Sequence, residues 1–348
     1  MSIDLTTNYG GLTLCSPLIV GACPLNSQEP MRVAIATAGA GAIVLPSLFQ
    51  EEVLRWNQKT GRHLTDAESR LLESSTRRSA TNGFTDAESY LSLVRQACAS
   101  SAIPIIPSLN GASVSQWVDF AAEIQNAGAA GIELNIHRNS PEQYGSAREI
   151  EDSIVEAVAT LDESISIPLF VKLDREFTSM SHLATRLLSG TQGLVLYGRA
   201  PDIDIALDDL AIHVNWSLTP PGSITTTLAS IMRVHAYCPA ISLAASGGIS
   251  SSSDVIKALL AGADVAMVTS AVYREGPDVI RTYLDGLRVF LERHHIQSVR
   301  DLRAQRPIEF SSEDQRRSYK QALTSKLSAE ETQTATPTII GDRFGHPS

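Results

Sequence analysis

Two short patterns alternate along this chain, and that alternation limits the fold more than any other feature. One is an alanine/glycine turn running into an apolar strand: TAGAGAIVLP (37–46), NAGAAGIELN (126–135), LSGTQGLVLY (188–197) and LAGADVAMVT (260–269). The other is an apolar strand led in by proline: CSPLIVGA (15–22), AIPIIPSLN (102–110), SIPLFVKLD (166–174) and CPAISLAAS (238–246). Interleaved, they give eight strands, separated by stretches of helical spacing at about 27–38, 86–99, 113–126, 146–162, 178–189, 223–236, 252–261 and 277–294. Strict alternation of β and α implies a parallel sheet. Strands that are continuous apolar runs imply a sheet covered on both faces. Eight such units point to a closed (β/α)8 barrel, the TIM barrel of the α/β class. An open doubly wound sheet is the alternative, but no GxGxxG follows the first strand.

Two connections exceed the length of plain turns: Ser47–Thr85 after strand 2 and Gly198–Gly222 after strand 6. Loops of this length are usually functional, and both leave the strand ends where barrel active sites lie. Each is expected to form a small hairpin or lid over the barrel mouth. Residues 1–324 are assigned to the barrel, with a closing helix over Ser311–Leu323. The polar, proline-broken tail 325–348 is expected to be disordered.

Bulk properties exclude several functions. The 28 basic and 38 acidic residues leave a net charge of −10, which argues against nucleic-acid binding through basic patches. A phosphate would have to be held by backbone amides and a few local cations. Cys15, Cys23, Cys98 and Cys238 form no CxxC pair, so a reduced, cytoplasmic setting without a zinc or iron–sulfur site is expected. The N-terminal residues show no signal-peptide pattern, and no apolar run of about 18 residues suggests a membrane span.

The stretch Ile241–Ala271 carries the most chemistry. An apolar run stops at Ser246-Gly247-Gly248, a serine run and Asp254 open a helix, and a second apolar run ends at Thr269-Ser270. Glycine turns let amides approach an anion, and helix N-termini favour negative charge. The loops after strands 7 and 8 of such barrels commonly hold a phosphate.

Other candidates sit at strand ends. Lys172 closes strand 5 and shares a face with Phe170 and Asp174. It could fix an anion, form a Schiff base or stabilise charge on a cofactor ring, or simply pair with Asp174 or Glu133. Asn110 and Asn135 end strands 3 and 4, and Asn82 precedes Gly83. Carboxamides suit heterocycles because each offers a donor and an acceptor, but turn asparagines are also common. Cys23 follows strand 1 and reads better as a small apolar filler than as a nucleophile. His137 and Arg138, just past Asn135, could titrate against or clamp an acidic substrate, or be plain loop residues. Trp56, Trp117 and Trp216 are expected to pack.

These residues resemble the dihydroorotate dehydrogenases, flavoproteins with an FMN-binding barrel, and most closely their soluble, dihydroorotate dehydrogenase-like branch. The likeness runs from about Leu5 to Leu323 through NYGGLTLCSPLIVGACPL, GAIVLPSLFQEE, IPSLNGASVSQWVDFA, AGAAGIELN, IPLFVKL, GLVLYGRAPDIDI and SGGISSSSDVIKALLAGADVAMVTSAV. The resemblance implies that Gly247, Gly248, Thr269 and Ser270 hold the FMN phosphate. It places Lys172 at the pyrimidine edge of the flavin, Ala22 and Cys23 along it, and Asn110 and Asn135 as further contacts. Asn82, Asn135 and Asn139 would meet the substrate.

The chain also departs from the family pattern. The loop after strand 4 reads Asn135-Ile136-His137-Arg138-Asn139, without the family's Cys or Ser base, so His137 or a water would have to serve. Strand 2 ends in Leu45-Pro46-Ser47 where soluble members usually carry a lysine. Tyr197-Gly198-Arg199 replaces the asparagine expected after strand 6. The expected function is an FMN-dependent oxidoreductase of the dihydroorotate-to-orotate type in pyrimidine biosynthesis, acting on a small molecule. A phosphometabolite lyase or aldolase using Lys172 as Schiff base, and a non-catalytic flavin-binding paralogue, are the alternatives. A homodimer stays open.

Overall fold

The structure is a computed structural model and describes residues 3–76, 86–111, 117–136, 146–306 and 312–324. Eight parallel strands close into a barrel: β1 Leu18–Val20, β2 Ala42–Phe49, β3 Ile105–Asn110, β4 Ile132–Asn135, β5 Leu169–Leu173, β6 Gly193–Leu196, β7 Ser242–Ser246 and β8 Val265–Val268. Each pairs with its neighbour in chain order, and β8 closes on β1 through Ala266–Leu18, Met267–Ile19 and Val268–Val20. This is the expected (β/α)8 architecture. Alternate residues of the strands fill the interior: Ile19, Val44, Ile106, Phe170, Val195, Ala244, Val265 and Met267 pack as one cluster. The outward residues, such as Ile43, Leu109, Leu134, Val171, Leu194 and Leu243, join the larger core beneath the helices.

An N-terminal hairpin, Thr7–Tyr9 with Leu12–Leu14, stops the lower end of the barrel. Tyr9 stacks on Phe170 with ring centroids 4.3 Å apart. The Gly10 amide donates to Ser242 Oγ at 3.0 Å, and Thr7 Oγ1 donates to the Asp264 carbonyl at 3.1 Å. With that end closed, only the end formed by the C-termini of the strands is left to take a ligand.

β2 and β3 fall out of simple register between Val44 and Ser47: Val44 faces Ile106, but Ser47 faces Ser108. One extra residue on β2 makes a bulge. Pro46 lies in it, close to Pro107 of β3, so two residues without an N–H share the place where the ladder is already broken. The extra residue turns Ser47 inward, where its Oγ lies 2.8 Å from Ser108 Oγ.

The two insertions differ. After β6, Asp202–Ala206 and Ala211–Asn215 form the expected antiparallel hairpin. After β2, the described part of the insertion forms two helices, Gln50–Lys59 and Asp66–Thr76, and no hairpin, so of the two expected forms only a lid stays open there. A helix, Ser312–Thr324, covers the span where a closing helix is expected; the expected tail, 325–348, lies outside the described residues.

At the closed end of the barrel, His235 sits against Arg306, with Nε2 and Nη1 3.0 Å apart. Burial, then the charges of Arg306 and Arg303, push its imidazole down to about 4. A histidine whose folded value is depressed loses its contribution as pH falls, because the unfolded chain takes up the proton first. Stability should therefore drop from about pH 6.5 towards pH 4. Asp264, raised by burial against the pull of Arg303 and Arg306, acts in the opposite sense. Urea midpoints measured across this window should fall less steeply in His235→Gln than in the parent.

Candidate functional site

A cavity of about 550 Å³ opens at the upper ends of β1, β5, β6, β7 and β8. That is the usual size for a nucleotide-like ligand. Its wall includes Ala22, Cys23, Lys172, Gly247, Gly248, Thr269 and Ser270. The structure thus brings together seven of the residues singled out from sequence, from four separate strand exits.

The exit of β7 is a glycine turn that lines the cavity. Gly247 and Gly248 have φ of +92° and +83°, a region that L side chains rarely adopt. An added Cβ at Gly247 would meet nothing within 4 Å, whereas one at Gly248 would lie 2.3 Å from Ile224 N. Gly248 is therefore pressed against the start of the helix Thr225–Tyr237. Neither glycine amide has a partner among the described residues. Two residues past Gly248 the amide is already taken, because Asp254 accepts from both the N–H and the hydroxyl of Ser250 at 2.9 Å. Ser251 caps the helix Ser252–Ala261, so the serine run does supply the expected cap. At the β8 exit, Ser270 Oγ accepts from the Thr219 amide at 3.1 Å, which ties the returning arm of the β6 insertion to the cradle.

Lys172 enters from the other side. It is 8% exposed, and its Nζ has one partner among the described residues, Glu133 Oε1, at 3.5 Å. Asp174 is not that partner; its carboxylate accepts from the Glu176 amide at 3.0 Å. Two further cations, Arg175 and Arg199, line the cavity together with one acid, Asp202. The local charge is positive in a chain of net charge −10. Arg175 lies 4.6 Å from the ring centre of Tyr197, and Arg199 lies 5.9 Å from that of Trp216.

The cysteine reading fits its environment. Cys23 is buried, and burial pushes its thiol up, although the neighbouring Lys172 charge pulls slightly the other way. A raised thiol is a poor nucleophile. One expectation changes. Trp117 is fully buried and Trp56 packs edge-on against Phe120, but Trp216 is 43% exposed and lines the cavity. Asn110 and Asn135 pair with each other in register, and Asn135 with the cavity-lining Lys172, so the two carboxamides stand at neighbouring strand ends. Asn82, His137 and Asn139 lie outside the described residues. Ser47, Ser108, Arg175 and Arg199 were not anticipated as part of the site or its support.

No family model matches the chain. It is 28% identical over 302 residues to a dihydroorotate dehydrogenase B (NAD(+)) catalytic subunit of Methanosarcina acetivorans, covering 82% of this chain and 91% of that protein. It is 26% identical over 291 residues to the protein of the same description from Methanocella arvoryzae, covering 78% and 88%. The chain is a homologue of the dihydroorotate dehydrogenases. Among solved structures, the DHODH of Eimeria tenella, in complex with ferulenol, superposes with a TM-score of 0.63 at 14% identity, over 87% of this chain and 89% of that one. That likeness is one of fold.

Within this dihydroorotate dehydrogenase homologue, the exits of β7 and β8 line one cavity, and a bulge lies at the end of β2, where the resemblance leads one to expect a lysine. An inward serine, hydrogen-bonded to Ser108, takes the interior place at the end of that strand. No helix among the described residues is long and apolar enough to cross a membrane.

Proposed function

We propose that the chain is an FMN-dependent oxidoreductase of the dihydroorotate dehydrogenase type, oxidising dihydroorotate or a related small molecule across a CH–CH bond. The observation that carries this reading is the pairing, around one cavity, of the unpartnered Gly247 and Gly248 amides with the buried Lys172 ammonium. The residues fit the cofactor. Gly247 and Gly248 would take its terminal phosphate with Thr269 and Ser270, Ala22 and Cys23 would line it, and Lys172 would face its ring. FMN bound there supplies the two-electron acceptor.

The protein's share is positioning and electrostatics. Among the described residues Lys172 is held by one long contact, to Glu133, which leaves two of its N–H bonds for a ligand. Because Lys172 is itself buried, that charge favours negative charge developing at the acceptor. Oxidation also releases a proton. His137, two residues past the end of β4 in the sequence, is the proposed acceptor of that proton, in place of the family's Cys or Ser.

Purified protein incubated with FMN should show flavin absorbance in the visible, and anaerobic dihydroorotate should bleach it. Bound flavin that dihydroorotate leaves oxidised would remove that substrate and keep the flavoprotein. A colourless protein that borohydride plus a carbonyl substrate traps at Lys172 would replace this reading with the lyase.

A further inference from the structure

Below the cavity, the barrel interior holds a line of polar groups drawn from four adjacent strands. Ser108 Oγ donates to Glu133 Oε1 at 3.2 Å, and Lys172 Nζ donates to the same oxygen at 3.5 Å. Ser108 has one hydroxyl proton and spends it on Glu133, so Ser47 is the donor in the 2.8 Å contact between the two serines. Glu133 is 1% exposed, and its second oxygen, Oε2, has no partner among the described residues. Leaving a buried carboxylate oxygen unsatisfied is unfavourable. Other inward side chains in this part of the barrel, Ile106 and Val195, are apolar. Packing alone therefore does not account for an acid at this position.

We propose that Glu133 is a positioning residue that sets the net charge offered to the cofactor: it anchors the Lys172 ammonium and offsets part of its field, so that bound FMN is harder to reduce than an unopposed lysine would make it. This rests on the flavin reading above. Reduction adds negative charge to the ring. A buried carboxylate one contact away from the ammonium opposes that charge, because water does not screen it. Ser47 and Ser108 fix the orientation of the carboxylate from the side away from Lys172.

The test is the redox poise of the FMN-loaded, full-length protein against a reference dye. Glu133→Gln keeps the shape and the acceptor for Ser108 but removes the charge. At the dye potential that half-reduces the parent, its reduced-to-oxidised ratio should rise at least about tenfold, or roughly 30 mV for a two-electron couple. Glu133→Asp keeps the charge, and its ratio should stay within about threefold of the parent, which tests the proposal by itself if the Gln variant does not fold. An unchanged ratio in Glu133→Gln, or a tenfold rise in Glu133→Asp, would overturn the proposal while leaving FMN binding in place. Failure of the parent to bind FMN, read by quenching of flavin fluorescence, would overturn the flavin reading and this inference together.

Discussion

Lys172→Met should slow the bleaching of bound FMN by dihydroorotate by about 10²–10³-fold, the usual loss when one preorganised electrostatic group is removed. Anaerobic stopped-flow absorbance at saturating substrate reads this directly. The size follows from the setting: the ammonium is 8% exposed and faces the cavity, so no water can take its place cheaply. The same substitution strands Glu133, whose remaining donor would be Ser108 alone. Breaking a buried pair from one side typically costs about 3–5 kcal/mol, so the melting temperature should fall as well. The double variant Lys172→Met with Glu133→Gln separates the two effects. Its melting temperature should recover much of the loss, because no charge is left buried alone, while bleaching stays slow. Recovery of the rate in the double variant would mean that Lys172 serves the fold and not the chemistry.

The barrel was legible because its strands are covered on both faces. Continuous apolar runs such as Leu169–Leu173 and Val265–Val268 carry no polar alternation to confuse, and seven of the eight strands lie inside the spans expected for them; β2 alone runs past its span, to Phe49. The β7–β8 cradle was legible because its chemistry is local: two glycines, a cap and a first-turn acid follow one another in the chain. The insertion after β2 was not. Its first helix begins after Phe49 with no side-chain cap, so no start signal marks Gln50. Trp216 was misjudged because an indole is usually buried, whereas the arm that carries it stands over the cavity. The Ser47–Ser108–Glu133 line could not be read from sequence at all. Alternation from Val44 would aim Pro46 inward; only the bulge, a property of pairing between two strands, brings Ser47 there instead.

The two cradle glycines should respond differently to alanine, and the contrast separates backbone strain from anion binding. Both have positive φ, +92° and +83°, so either substitution costs about 1–2 kcal/mol from conformation alone. Only Gly248 adds a collision. Its Cβ would lie 2.3 Å from Ile224 N and 2.5 Å from Ser223 C, and both are backbone atoms that no rotamer change can move aside. The exit of β7 and the start of the Thr225–Tyr237 helix would have to separate, tilting the free amides away from their common focus. Gly248→Ala should therefore weaken FMN binding by about 100-fold or more, equivalent to losing roughly two charge-assisted hydrogen bonds. Gly247→Ala has open space for its methyl and keeps its N–H, so its affinity should fall less than about tenfold, near the cost of the backbone strain alone. Fluorescence-quenching titrations with FMN, run beside thermal melts, give both quantities for each variant. Equal affinities in two folded variants would mean that the phosphate does not rest on the β7 turn, because a turn that can be forced open without loss is not holding the anion.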